Sequence, residues 1–351
     1  MQGHLILTNC LTDEVTRPNI ERALKEDDLL WLDLEDTGPD TIALLRDVFK
    51  IHPLAVEDAQ EFNQRPKIEG YDDFVSLVAY GARGLDQPLA AVHAFYAEHF
   101  LVTVHREPMP AIDNACHALT RAPTPRRLVA LYRMLDALVD SMFPFLAALD
   151  DRIDDLQDEI FKGPQNEQLS ALFTLKRQLV DMRKLVTPQR DMVSSMLNQV
   201  VPIAGMTAET ERYVRDLYDH LIRISDMVDS YRDLLGGSLD AYMSMVSNKM
   251  NEQMKPVAQQ LGVQAPTDIS KKDKKTMAEL QGLSGPAYDQ AYIKDMVKDH
   301  KKDLSDFQSE ASSGQDQTVK DAANQGSQVI SQHLQMIQQI AKDQNVTVAS
   351  K

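Results

Sequence analysis

Four aspartates, Asp219, Asp226, Asp233 and Asp240, recur every seven residues in a segment whose apolar residues Val214, Leu217, Leu221, Ile224, Val228, Tyr231, Leu235 and Tyr242 keep an alternating three-four spacing. On a helix that spacing is a coiled-coil seam, which requires partner helices, and it sets the aspartates on the opposite side. At about 100° per residue, Asn251 falls only about 20° round the helix from Asp240 and extends the same stripe. Two chemistries suit such a stripe. It is either a solvated acidic face or, where copies of the helix ring an axis, a stack of oxygen ligands for hydrated cations.

The composition narrows the choice. The chain has 351 residues, 43% hydrophobic and 26% charged, with a formal net charge of -16. That is the balance of a globular protein, and its excess of carboxylates repels a phosphate backbone, so no nucleic-acid partner is expected. Divalent cations are the natural partners of this surface. The two cysteines, Cys10 and Cys116, lie far apart with neither a CxxC nor a histidine at zinc spacing, which fits a reducing cytoplasm. The start lacks the basic and apolar regions of a secretory signal. The longest apolar stretch, MFPFLAAL at 142–149, is too short to span a membrane. An enzyme is not expected: G-x-S-x-G, P-loop and dinucleotide glycine motifs are absent, and His93, His99 and His105 in a strand-like run read as structural or exposed.

The elements that position the stripe follow from periodicity. LLWLDLED (29–36), DFVSLVAYGAR (73–83) and AVHAFYAEHFLVTVHRE (91–107) read as strands, with a helix in PDTIALLRDVFKIHP between the first two. Without a regular βαβ repeat, this predicts an α/β N-terminal domain with a mixed sheet, at 1–123. Long α-helices follow. An antiparallel pair spans 124–203, opening on Thr124 and Pro125, turning at Gly163-Pro164 and resuming from about Asn166 to Val200; the stalk helix spans 204–252. Gly236-Gly237 interrupts the stalk at a cost of about 1 kcal/mol per glycine. A short α-helical region occupies 253–351, with helices at about 284–311 and 316–342.

The stretches FKIHPLAVEDAQEFNQRPKIEGYDDF, LYRMLDALVD and YVRDLYDHLIRISDMVDSYRDLLGGSLDAYMSMVSNKMNE resemble, in order and spacing, the cytoplasmic part of the CorA-type magnesium channels, over residues 1–252. The resemblance implies a homopentamer, with a divalent-cation sensor between neighbouring subunits. It places metal ligands at Asp58 and at Asp216 of the adjacent chain, with Glu57 and Asp136 as a second, looser set. Asp240 and Asn251 match positions facing the pore axis. Mg²⁺ is the implied ion, with Co²⁺, Ni²⁺ or Zn²⁺ as alternatives, since relatives with the same architecture move zinc. A site of few carboxylates shared between subunits is weak and reversible, as a sensor needs. Relatives are inner-membrane proteins with this domain in the cytoplasm; the alternative is a soluble oligomeric scaffold without ion transport.

In that family the text after SNKMNE enters an apolar transmembrane helix ending in Gly-Met-Asn. Here QMKPVAQQLGVQAP follows instead, and LSGPAYDQAYIKDMVKDH and QVISQHLQMIQQI resemble the later half of an uncharacterised bacterial family of ferritin-like helical bundles, over about 252–345. A natural fusion, a gene-model error and an engineered chimera all produce such a junction. Asp289, Tyr292, Asp299, His300 and His333 raise a metal question in this tail. The di-iron pattern is absent, because Val297 and Ile330, rather than glutamates, precede the two histidines at the required spacing.

Overall fold

The computed structural model describes residues 3–348 apart from 8–9, 27–29, 63, 86, 120–126, 265–267, 269, 284 and 344–345. The N-cap expected at Thr124 and Pro125 lies outside the described residues, as do the side chains of Cys10 and Asp289. Two compact units emerge, one from Met1–Glu159 with Asn166–Ser238, the other from Ile160–Gln165 with Leu239–Lys351.

The first unit is built on a mixed seven-stranded sheet in the order β2-β1-β3-β7-β6-β5-β4. Its strands are β1 (Gly3–Leu7), β2 (Cys10–Thr12), β3 (Trp31–Leu34), β4 (Lys67–Gly70), β5 (Val75–Gly81), β6 (Ala90–Tyr96) and β7 (Leu101–Val104). β3 pairs with β7 in parallel, and the other neighbours are antiparallel. The run expected as one strand at 91–107 is a hairpin, closed where Ala97 N–H donates to the Phe100 carbonyl at 2.9 Å. β5 and β6 are buried along their whole length. That requires cover on both faces and accounts for their near-continuous apolar sequence.

One face carries α1 (Arg17–Lys25), α2 (Pro39–Asp47) and α3 (Pro53–Gln60), whose Ile20, Leu44, Leu45, Ala55 and Ala59 pack with Leu32, Leu34, Phe95 and Val102 of the sheet. α4 (Pro110–Leu119), α5 (Arg127–Asp140) and α7 (Asn166–Leu197) supply the remaining cover. The helix expected to run unbroken to Gly163 is two helices, α5 and α6 (Met142–Lys162), parted at Ser141. Pro144 explains the break, since proline has no N–H to continue the α5 ladder but fits the first turn of α6.

Gln189 of α7 fastens the helical layer to β5. Its Oε1 accepts from Tyr80 N–H at 2.7 Å and its Nε2 donates to the Tyr80 carbonyl at 3.2 Å, so one buried amide completes the ladder beyond the start of β4. His93 of β6 is buried against Phe62, and desolvation pushes its pKa down to about 4, so it is neutral at pH 7. His105 is buried beside Asp33 at 3.2 Å, and His99 is exposed. Burial pushes the Cys116 thiol up and keeps it unreactive.

α8 (Ala208–Gln260) is the stalk helix. Its seam finds partners inside its own chain: Val214, Leu217, Leu221, Ile224 and Val228 are buried, while flanking side chains reach α5 (Tyr132 to Asp216), α6 (Gln157 to Ser238) and α7 (Arg183 to Asp229). Asp219, Asp226, Asp233, Asp240 and Asn251 are exposed. Gly236 and Gly237 do not interrupt the helix, and a Cβ on either meets open space.

Nor does α8 stop in the proline-containing stretch after 252. It runs through exposed Pro256 because Met250, Met254 and Val257 continue a stripe toward α11 (Gln317–Asp343) around a cavity of about 180 Å³. Gly262, at φ +66°, ends it, with Val263 N–H donating to the Ala258 carbonyl at 2.9 Å. In this second unit α10 (Gly285–Ser313) and α11 pack closely enough that a Cβ on Gly326 would stand 2.4 Å from the Phe307 ring. The sequence reading missed α9 (Lys271–Gln281), which buries no residue and is marked only by the Ser270 cap on Asp273 N–H.

Gln189→Leu leaves both Tyr80 backbone groups buried and unpaired. It should destabilise the sheet unit by about 2–5 kcal/mol, at 1–3 per group. Denaturant unfolding followed through the fluorescence of Trp31, the only tryptophan, reports this unit directly.

Candidate metal centre

Asp136 and Asp216 are 80 positions apart in sequence and are brought together where α5 meets α8. Successive turns of α5 present Tyr132, Asp136 and Asp140; successive turns of α8 present Asp216 and His220. Ligand atoms of Asp136, Asp216 and His220 all lie within 4.8 Å of one another. His220 Nδ1 is 3.9 Å from Asp136 and 3.2 Å from Asp140, while its Nε2 is 4.0 Å from Asp216. The Tyr132 hydroxyl donates to Asp216 at 3.3 Å. Phe143 meets the His220 ring edge-on at 5.8 Å and carries Arg223 on its own face.

The electrostatics of this cluster are unbalanced. Asp136 Oδ1 and His220 Nδ1 are buried without a hydrogen-bond partner. Burial, then the negative charge of Asp140, raises the Asp136 pKa above its ordinary value. Burial, Asp136 and Asp216 likewise raise that of Tyr132. A divalent cation fits this donor set, because it neutralises the converging carboxylates and occupies the orphaned oxygen and nitrogen. His220 was not singled out from sequence, although Asp216 and His220 at i, i+4 signal two ligand-type side chains on one helical face.

Asp58 and Glu57 stand apart from this cluster. Both lie in the last turn of α3, whose first turn is set by Pro53 and by His52 Nδ1 accepting from Leu54 N–H at 3.3 Å. Asp58 is partly buried and held by Lys67 Nζ at 2.6 Å and by Gln64 Nε2 at 3.1 Å, whereas Glu57 is exposed. Lys67 also meets Glu69 at 3.1 Å. Desolvation works against its charge, but the two carboxylates prevail and raise its pKa. Among the described residues, neither Asp58 nor Glu57 joins a group of three converging ligand side chains. The second such group, His4, Glu35 and Asp113, was also missed from sequence. There His4 Nδ1 meets Asp13 at 2.7 Å and its Nε2 lies 3.7 Å from Asp113.

Among the described residues no helix is long and apolar enough to cross a membrane. Residues 26–258 match the family described as CorA-like Mg²⁺ transporter protein, and residues 242–340 match a domain of unknown function (DUF4142). The cobalt/magnesium transport protein CorA of Thermotoga maritima is 34% identical over 224 residues, which is 62% of this chain and 63% of that protein. The putative metal ion transporter YfjQ of Bacillus subtilis is 30% identical, over 71% of this chain and 76% of that one. The complete structure of the CorA magnesium transporter from Methanocaldococcus jannaschii superposes with a TM-score of 0.63 at 20% identity, covering 80% of this chain and 87% of that one. The structure of its soluble domain, at 0.58 and 21% identity, is covered to 97%. These superpositions establish the mixed-sheet and long-helix fold.

The raised Asp136 pKa has a sign. Without metal, the stability Asp136 contributes is present below pH 3.8 and is lost as pH rises through its higher folded value. Asp136→Asn should therefore flatten this part of the stability-pH curve in chelator. At neutral pH it should leave the chain as stable as the parent or more so, while weakening Co²⁺ binding by about 10–100-fold. Thermal melts across pH and a Co²⁺ visible-absorption titration check both.

Proposed function

Because the chain belongs to the CorA-like Mg²⁺ transporter family, matched over residues 26–258, we propose that its residues 1–252 act as a divalent-cation-sensing module of the kind that regulates a metal ion transporter. The observation that carries this reading is the Asp136–Asp216–His220 cluster, with two buried polar atoms left without partners. It forms half a site. Asp58 and Glu57 of a neighbouring copy supply the other half, so that one cation joins two chains and copies close into a ring, a pentamer by resemblance to the family.

In the metal-free chain the Lys67 ammonium neutralises Asp58, and the bound cation takes over that role at the interface. With the cation present, converging carboxylates on both sides are neutralised and the ring is held symmetric; without it they repel and the interface loosens. Mg²⁺ suits the oxygen donors, and His220 extends the range to Co²⁺, Ni²⁺ and Zn²⁺. The exposed aspartates Asp219, Asp226 and Asp233 face the axis of that ring, whereas Asp240 borders a cavity between α8, α10 and α11. We keep 1–123, 124–203, 204–252 and 253–351 as the functional divisions, and place the sensing part on the cytoplasmic side of a membrane. Its role is binding and regulation rather than catalysis.

The test is thermal stability against Mg²⁺ for the parent and for the double variant Asp58→Ala/Asp216→Ala. Ligand at one hundred times its Kd stabilises a site by about 2.7 kcal/mol, so the parent melt should rise by several degrees and that of the variant should stay still. Equal rises in both overturn the assignment; no rise in either leaves the scaffold reading in its place.

A further inference from the structure

In the second unit, α8, α10 and α11 line a cavity of about 480 Å³. Met243, Met296 and Met336 form part of its wall, with His300, Tyr292 and Asp240 as polar members. Met296 and His300 are four residues apart on α10, and His333 and Met336 are three apart on α11, so each helix of the packed pair carries one imidazole and one thioether on a single face. The two imidazoles are neighbours, with ring centroids 5.7 Å apart. Two histidines sharing a metal ion through bonds near 2.0–2.1 Å hold their centroids about 5–6 Å apart.

The nitrogens are disposed as ligands. His300 Nδ1 lies 2.9 Å from the Met296 carbonyl, which only accepts, so Nδ1 bears the proton and Nε2 keeps its lone pair. A backbone carbonyl fixing one ring nitrogen is the usual support for a histidine that binds metal through the other. His333 is only 8% exposed, and its Nε2 is buried without any hydrogen-bond partner. Methionine alone would fill such a core, whereas a buried imidazole nitrogen without a partner costs free energy that a bound metal recovers.

We infer that the His300–His333 pair at the edge of this cavity is a soft-metal site that takes Cu(I), with the two imidazoles as nitrogen ligands and Met243, Met296 and Met336 of the cavity wall as thioether ligands; His333 stands beside His300 rather than in the wall itself. Thioethers are poor partners for Mg²⁺ and other hard ions and favourable ones for Cu(I). The site is separate in residues and in ion class from the carboxylate cluster of the first unit.

The experiment is an anaerobic titration of the full chain with Cu(I) against a chromophoric Cu(I) chelator, with Ag(I) as a redox-inert parallel. X-ray absorption of the copper-loaded protein follows. One ion per chain should bind, with mixed nitrogen and sulfur coordination. Binding should be unchanged in Asp58→Ala/Asp216→Ala and weakened at least about tenfold in His300→Leu/His333→Leu. Met296→Leu/Met336→Leu conserves apolar volume, so it should keep the parent circular dichroism while losing the sulfur signal and a comparable share of the affinity. Absence of tight binding, coordination by nitrogen and oxygen alone, indifference to the methionine change, or displacement of Cu(I) by equimolar Zn²⁺ would each overturn the site.

Discussion

A half-buried carboxylate, one oxygen of which has no hydrogen-bond partner, is the constraint on which the first unit turns. Asp136 lies one turn from Asp140 on α5 and faces Asp216 across the junction of α5 and α8, and its unpartnered oxygen stands 3.9 Å from His220 Nδ1. The surrounding elements hold the arrangement in place. Tyr132, Met134, Leu135 and Leu138 anchor α5, Gln189 ties α7 to β5, and the buried seam of α8 fixes Asp216 and His220 by helical phase alone. The cluster is thus preorganised for positive charge that the chain itself supplies only in part, through Arg133 at 4.0 Å from Asp136.

The sheet and the long helices were legible in sequence because their periodicity is strong. β5 and β6 announce themselves by β-branched and aromatic residues, and the helices at 285–313 and 317–343 fall within a few residues of their expected bounds. Short amphipathic elements such as α1 and α4, and the mostly charged α9, which buries no residue, carry too little periodic signal to be seen. The seam of α8 was correctly read as needing partners, but a periodicity identifies a face and never its occupant, and here α5, α6 and α7 of the same chain approach it. Filling the seam internally leaves the aspartate stripe exposed, together with Tyr213, Ile222 and Leu234 of the same helix.

The site was legible only in pieces. Asp136 and Asp216, and Asp58 that stands apart from them, were reached through resemblance, since any one of them alone is an ordinary acidic residue. His220 escaped because an aspartate and a histidine four residues apart gain meaning only when a third ligand arrives from another helix. The tail shows the converse. The missing glutamates argued against a di-iron centre, while the methionines beside His300 and His333 went unread because thioethers look like core. The matches over 26–258 and 242–340 overlap within α8, which stays helical throughout. A join within a shared helical stretch leaves the backbone hydrogen bonds of both parts intact.

The central claim is that one cation bridges two copies of this chain. Light scattering of the purified chain in millimolar Mg²⁺ and then in chelator measures that directly. The account predicts a mass several times that of one 351-residue chain, five-fold by resemblance, that falls or broadens when the metal is removed. A single chain whose mass is indifferent to metal would contradict it.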